Sequence, residues 1–380
     1  MERFDIIVIG AGPAGSAAAY TAARHGVSVL LLEEHPKIGI PVVCAEGISR
    51  KSIAGYLDIE QGWISQHLNG AIIRGPHDQE FRIDYPGCGW ILDRATFDPA
   101  LARMAENAGV QVKTRSKVVG IHDRAVTVAH EGRTAEYGYN FVIGADGMKS
   151  RVGTWFDVDT RLAVDEITVC AEYLLEDINV DPSYVELLFG ERYAPGAYAW
   201  IFPKSSSSAN VGLGVSPVRT RRRAREILDE WIKREFPSAT VKQKIFGGVS
   251  AKVLERFSGN RFYLVGDAAR LTDPLSGAGI ANGIKSGVIA GRSAVARMKG
   301  KKDAFHAELK KAVLKEIAYN QGIRNVYLKL MDSEYEHVFR IAKRILSGHA
   351  VSGVSIRRIA REVMIFSPLI FKSALKLLFR

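Results

Sequence analysis

An α/β fold, α+β overall, is predicted by three observations. Residues 4–9, FDIIVI, form a continuous apolar run that ends in GAGPAG at 10–15. A strand buried on both faces and followed at once by a glycine turn is how a parallel sheet hands over to a helix. Residues 69–92 alternate apolar and polar, and 167–215 again read as strands, the pattern of antiparallel sheet. From 303 to the end the apolar residues recur at helical spacing. Together these describe a Rossmann-like domain, an antiparallel-sheet domain and a helical C-terminal region. The first is discontinuous, taking 1–68, 93–166 and 255–300. The second takes 69–92 and 167–254, and the third 301–380.

Each element has its own signal. Small and apolar residues at helical spacing follow the glycines to Ala23, and Gly26 ends that helix. Val27 to Leu32 reads as a second strand and closes on Glu33, completing a βαβ unit of about 30 residues. Residues 34–68 form a long connection rich in Gly, Pro and Ile, a length usually tied to function. Arg94 to Asn107 reads as a helix with Asp93 as its N-cap. Val110–Lys113, Lys117–Ile121 and 125–129 are strand candidates, and Phe141–Gly147 is a buried strand ending in glycine and aspartate. A basic helix is expected over 217–235, a short strand over Arg261–Gly266, and a helix over Ile280–Met298.

Composition narrows the function classes. The 380 residues, 47% hydrophobic and 24% charged, suffice for a large core and two or three domains. That balance excludes disorder, collagen-like repeats and a disulfide scaffold. Cys44, Cys88 and Cys170 make no framework and point to a reducing compartment. No apolar run approaches the ~20 residues that span a bilayer, and the N-terminus lacks a cleavable leader's pattern. The expected location is cytoplasmic. The histidines show no metal-ligand spacing, and neither H-E-x-x-H nor C-x-x-C occurs, so no metal is expected.

The net charge of +11 is unevenly spread. Residues 292–380 hold nineteen Lys/Arg against seven Asp/Glu, an asymmetry that suits an anionic partner. Arg357, Arg358, Arg361, Lys372, Lys376 and Arg380 interleave with apolar residues at helix-like spacing. This suits an interfacial helix on the cytoplasmic face of an anionic membrane. A core-facing helix with a solvated basic face would look the same. No nucleic-acid-binding module is recognisable.

The GAGPAG turn has a physical task for each glycine. Gly10 permits the tight strand-to-helix turn, Gly12 lets a pyrophosphate approach the backbone, and Gly15 lets helix and strand pack closely. The helix start, including Ala14, offers N–H groups and positive dipole to phosphates. Glu33 is placed to accept ribose hydroxyls.

Two further segments specify the dinucleotide. Gly144-Ala-Asp-Gly147 is followed by Ser150 and Arg151. Gly266-Asp-Ala-Ala-Arg270 is followed by Asp273-Pro274 and Gly277-Ala-Gly-Ile280. Both resemble fingerprints of the para-hydroxybenzoate hydroxylase-like FAD superfamily. The resemblance implies FAD, with Asp267 on its ribose and the 277–280 segment, including Gly279 and Ile280, against the flavin. It also implies Arg94 near the FAD phosphates and Val118 touching adenine through its backbone. A helix start near Gly279 suits negative charge on a reduced flavin.

The chain departs from the aromatic hydroxylases, many of which carry His where Arg270 stands. Pro195 to Pro203, PGAYAWIFP, and then Gly212-Leu-Gly214 resemble the PxxYxWxFP and GxG signature of the geranylgeranyl reductase family. Gly39 to Gly47, GIPVVCAEG, resembles that family's flavin loop, PVRCAEG, with Val43 in place of Arg. The loop would bring Cys44, Ala45 and Gly47 to the flavin. The resemblance implies FAD-dependent saturation of geranylgeranyl double bonds in archaeal-type ether phospholipids. Menaquinone or chlorophyll-type prenyl chains are alternatives, as is an FAD monooxygenase of the same fold. A flavin-containing lipid-binding protein without turnover is a rival of another class. The external electron donor, NAD(P)H, ferredoxin or a deazaflavin, has no second fingerprint.

An isolated trisubstituted alkene is a poor hydride acceptor. Its reduction calls for a proton on one carbon and a hydride on the more substituted one, with positive charge developing there. Tyr198, Trp200 and Phe202 alternate along a strand and so share one face, where they form either ordinary core or the wall of an apolar pocket. Aromatic faces stabilise such charge by ~0.5–2 kcal/mol each. Cys44 is the candidate catalytic residue, as proton donor or gate; a small residue that merely fits the loop is the other reading.

Overall fold

The computed structural model describes residues 1–346. Two sheets organise it. The first has seven strands, in the order Gln111–Lys113, Val29–Leu32, Glu2–Ile9, Arg133–Gly144, Ala125–His130 and Lys117–His122, with Phe262–Leu264 also pairing Arg133–Gly144. Glu2–Ile9 runs parallel to both neighbours, and Phe262–Leu264 is parallel too. Ile6, Ile7 and Leu30 are fully buried in a core shared with Ala18, Ala22, Ala290 and Ala294. Those alanines belong to the helices Pro13–Ala23 and Ile280–Met298. The two helices touch almost backbone to backbone. A Cβ at Gly287 would stand 2.1 Å from the Ala14 carbonyl oxygen, and one at Gly291 2.5 Å from that of Ala18. This close packing sets the start of the first helix against the first two turns of the second.

The second sheet has eight strands, in the order Thr240–Ser250, Ile167–Glu176, Ser208–Val215, Ala199–Pro203, Tyr184–Leu188, Ile64–Arg74, Glu80–Leu92 and Gly47–Ser49. It is antiparallel except where Tyr184–Leu188 runs parallel to Ile64–Arg74. One face packs on the helix Ala224–Glu235. Ala171, Tyr173, Ile201, Val211 and Leu213 join Leu228 and Trp231 in that core. The alternate residues face the other way, as strand geometry requires. They carry the site.

Sequence and structure coincide in the helix Arg94–Asn107, capped by the Asp93 side chain, and in the helix Ile280–Met298. They differ in four places, one being the strand expected over Phe141–Gly147, which runs Arg133–Gly144. Residues 47–49 and 64–68, grouped by sequence with the first sheet, hydrogen-bond in the second. The basic helix begins at Ala224, not 217. Arg219 holds the preceding chain in a turn by donating to Glu191 and to the carbonyls of Leu328 and Leu330. Thr240–Ser250 is a full strand that sequence did not single out.

The C-terminal region packs the helices Phe305–Leu309, Lys315–Tyr327 and Asp332–Leu346. Phe339 and Tyr335 cluster with Phe81 of the second sheet. Among the described residues no helix is long and apolar enough to cross a membrane. The interleaved basic segment at 356–380 lies outside them.

Candidate active site

A cavity of about 690 Å³ opens between the strand ends of the first sheet and the inner face of the second. Its wall includes Gly12, Ala14, Cys44, Ala45, Gly47, Arg94, Tyr198, Trp200, Phe202, Asp267, Gly279 and Ile280. These stretches are far apart in sequence, and the two sheets converge them on one space.

The glycine turn behaves as its spacing predicts. A Cβ at Gly10 would lie 2.4 Å from the Ala145 carbonyl oxygen, and Gly10 has φ +98°. A Cβ at Gly15 would lie 1.8 Å from the Gly10 oxygen. Gly12 has no described residue within 4 Å of its missing side chain. Two glycines therefore admit the packing, and the third leaves open space at a helix N-terminus, where an anion is favoured. Gly279 caps the second helix on the same wall. Glu33 stands at the end of Val29–Leu32 and accepts from the Ala11 N–H at 2.9 Å, so it is fixed beside the turn but not on the cavity wall. Gly10, Gly15 and Val118 also lie off that wall. Val118 is buried in the first core.

The loop at 39–47 is anchored by Glu46. This residue is 4% exposed and holds a left-handed φ of +68°. Its Oε1 accepts the Arg94 backbone N–H at 2.8 Å. Its Oε2 accepts from Lys204 Nζ at 2.5 Å and Asn210 Nδ2 at 3.0 Å. Arg94 itself donates twice to Asp98, at 2.6 and 2.7 Å. Burial alone would weaken its charge; the Asp98 carboxylate outweighs that and holds it cationic. The Cys44 Sγ accepts the Glu46 N–H at 3.2 Å. Burial pushes the thiol's pKa up, against the opposing pull of Arg94, so Cys44 stays a neutral thiol.

The second sheet offers its inner face in cross-strand rows. Trp200 pairs with Gly212, and Gly212 with Glu172. A Cβ on Gly212 would lie 2.6 Å from the Trp200 indole. The bare glycine lets the ring lie across the middle strand, and Nε1 donates to Glu172 Oε2 at 2.9 Å. In the next row Gly214 pairs with Cys170 and donates its N–H to the Tyr198 carbonyl. The Tyr198 hydroxyl donates to the Ser276 carbonyl, tying the aromatic strand to the 277–280 segment. The Tyr198–Trp200 and Trp200–Phe202 rings are 5.8 and 6.5 Å apart by their centroids. The aromatics therefore line the cavity, while Ala199 and Ile201 take the core.

FAD fits these residues on three counts. Gly12 leaves room for a pyrophosphate, the starts of two helices border the same cavity, and Asp267 lines it too with Oδ1 accepting from Thr272 at 2.9 Å. Arg270, by contrast, is buried off the cavity and donates to Glu166 and the carbonyls of Thr160 and Arg161. Asp146 of the other fingerprint serves structure too, accepting from the Ser150 hydroxyl and the N–H groups of Arg151 and Val152 at the start of a short helix.

Sequence reading missed four wall or anchor residues. Glu172 is 3% exposed and is the one charged side chain in the run Ile167–Leu175, a signal that could have found it. Glu46 was visible within its loop, but its partner Lys204 lies 158 residues away. Arg324 and Tyr327 reach the cavity from the helix Lys315–Tyr327, and nothing in the local sequence marks them.

Comparisons with known proteins agree with this geometry. A family model described as FAD dependent oxidoreductase matches residues 5–140, and one described as geranylgeranyl reductase catalytic domain matches 166–251. The digeranylgeranylglycerophospholipid reductase of Methanosarcina acetivorans is 35% identical, aligning 90% of this chain with 89% of its own. The chain belongs to the geranylgeranyl reductase family. The digeranylgeranylglycerophospholipid reductase of Methanocella arvoryzae is 32% identical over 99% of this chain and 100% of its own. A solved geranylgeranyl bacteriochlorophyll reductase-like protein from Thermoplasma acidophilum superposes with a TM-score of 0.91 at 29% identity, covering 99% of this chain and 100% of that one. A flavin-dependent brominase, at 19% identity and a TM-score of 0.71, shares the fold over 100% of this chain and 99% of its own. As a geranylgeranyl reductase family member the protein is an oxidoreductase with FAD as its cofactor.

Proposed function

We propose that this geranylgeranyl reductase saturates the prenyl chains of a digeranylgeranylglycerophospholipid. The relatives' names, digeranylgeranylglycerophospholipid reductase, support the reading, and one structural observation carries the headgroup. Two arginines line the cavity among the described residues. Arg94 is paired with Asp98. Arg324 is 4% exposed, and its buried Nη2 has no hydrogen-bond partner among the described residues. Burial weakens its charge, and a buried unpaired cation costs several kcal/mol unless something pairs it. The phosphate of a lipid headgroup is a matching anion, and guanidinium binds phosphate through a bidentate fork. A neutral prenylated quinone would bring no anion to Arg324 Nη2.

The chain's residues divide the remaining work. Gly12, Arg94, Asp267 and Gly279 hold the cofactor, with Glu33 steadying the turn. Tyr198, Trp200 and Phe202 form an apolar wall for the prenyl chain and exclude water from the alkene. Their faces favour positive charge on its tertiary carbon by ~0.5–2 kcal/mol each. Bound FAD, once reduced, supplies the hydride. Cys44, a neutral thiol on the loop between the cofactor residues and the aromatic wall, gates the junction of the two.

The test compares substrates. With a chemical reductant and digeranylgeranylglycerophospholipid, mass spectrometry is expected to show two added hydrogens per reduced double bond. A geranylgeranylated quinone is expected to react more slowly. Arg324→Met should raise KM for the phospholipid about 10- to 100-fold, the loss of a charge-assisted contact, and leave KM for geranylgeraniol unchanged. Its folding stability should change little, because the residue removed is a buried charge whose Nη2 has no hydrogen-bond partner among the described residues. Equal KM changes for charged and neutral substrates would refute the headgroup assignment.

A further inference from the structure

Prenyl saturation needs an acid inside an apolar cavity, and the second sheet carries one. Glu172 lies on the inner face, is 3% exposed and borders the cavity. Its two oxygens differ. Oε2 accepts the Trp200 indole N–H, and Oε1, although buried, has no hydrogen-bond partner among the described residues. A buried carboxyl with one oxygen clamped and the other bare is either strained for nothing or held ready to give up a proton. The glycine at 212, which lets the indole reach across the middle strand, is part of the same device.

We propose that Glu172 is the acid that protonates the substrate alkene, a role that rests on the prenyl-reductase reading. The π electrons of the double bond take the Oε1 proton onto the less substituted carbon, forming one C–H bond. The tertiary carbon, left electron-deficient, accepts the hydride from reduced FAD and forms the second. Glu172 is left as a carboxylate, held by Trp200, and regains its proton from water.

The surroundings suit this task. Burial raises the pKa to about 7, helped by Glu46 and opposed by Trp200 and Lys204. Cys44, Cys170 and Tyr198 face it as well, from the flavin loop, its own strand and the aromatic strand. The opposite residue on the outer neighbouring strand is Ile245, which brings no charge. An acid near the working pH donates best. Cys44, whose pKa burial lifts further from neutrality, is the poorer donor.

The experiment uses the reduced holoenzyme, digeranylgeranylglycerophospholipid and stopped-flow detection of flavin reoxidation across pH. Wild type should be fast below pH 7 and slow as pH rises through about 7. Glu172→Gln should bind FAD with wild-type affinity, react about 10²–10⁴-fold more slowly and lose that inflection. Trp200→Phe removes the contact that lowers the pKa, so its inflection should move upward. Stability of the apoprotein gives a readout free of turnover. The folded pKa stands above the ordinary 4.5, so wild type should lose stability relative to Glu172→Gln as pH rises from about 4.5 through 7. A Glu172→Gln enzyme with unchanged rate and pH profile would overturn the role while leaving the reductase reading intact. A wild type inert toward every prenyl lipid would overturn both.

Discussion

Gly12→Ala and Gly15→Ala, three residues apart in one turn, are expected to fail in opposite ways. At Gly15 the new methyl would stand 1.8 Å from the Gly10 oxygen and 3.1 Å from the Ala145 Cβ. Backbone atoms cannot yield cheaply, so the helix start must move off the strand, at a cost of about 1–3 kcal/mol or more. The apoprotein should melt at lower temperature and bind FAD poorly. At Gly12 the methyl enters open space, and φ is −68°, a value any residue adopts. The Gly12→Ala apoprotein should melt at the wild-type temperature or slightly higher, since alanine loses less freedom on folding. Its FAD affinity should fall by about 10- to 100-fold, because the methyl occupies the space over which the pyrophosphate lies. Thermal melts and flavin-fluorescence titrations separate the two effects. Wild-type FAD affinity in Gly12→Ala would mean that the phosphates lie elsewhere.

Glu46→Ala should give the largest loss of stability at the site. Glu46 satisfies three donors from three separate segments, Arg94, Lys204 and Asn210. Lys204 Nζ is mostly buried and donates otherwise to the Leu92 carbonyl. Removing the carboxylate leaves that ammonium uncompensated, which costs about 3–5 kcal/mol in comparable buried pairs. Urea unfolding of the apoprotein measures it. Glu46→Gln keeps the size and two hydrogen bonds and should recover part of the loss. A loss below about 1 kcal/mol for Glu46→Ala would mean that the loop is held mainly by packing.

The parts of this site that sequence displayed are those built by neighbouring residues. The glycine turn, the Asp93 cap and the start of the helix at Ile280 depend on contacts a few positions apart, and local chemistry fixes them. The alternation of Tyr198, Trp200 and Phe202 likewise predicts a shared face. Whether that face meets core or cavity depends on Gly212 and Gly214 across the sheet, and so on a strand register that spacing alone does not encode. Glu172 was hidden for the same reason. Its meaning comes from Trp200, 28 residues on, and from an oxygen with no hydrogen-bond partner among the described residues. Arg324 comes from a helix more than a hundred residues beyond the aromatic strand. Its neighbours are ordinary surface-helix residues, so only its burial at the cavity distinguishes it.

The most direct measurement is an anaerobic single turnover. The holoenzyme is reduced with dithionite, excess reductant is removed, and digeranylgeranylglycerophospholipid is added. The geometry predicts flavin reoxidation without oxygen, matched mole for mole by one hydrogen pair gained in the lipid. Flavin that stays reduced until oxygen is admitted, with lipid mass unchanged, would contradict the assignment of this cavity to prenyl reduction.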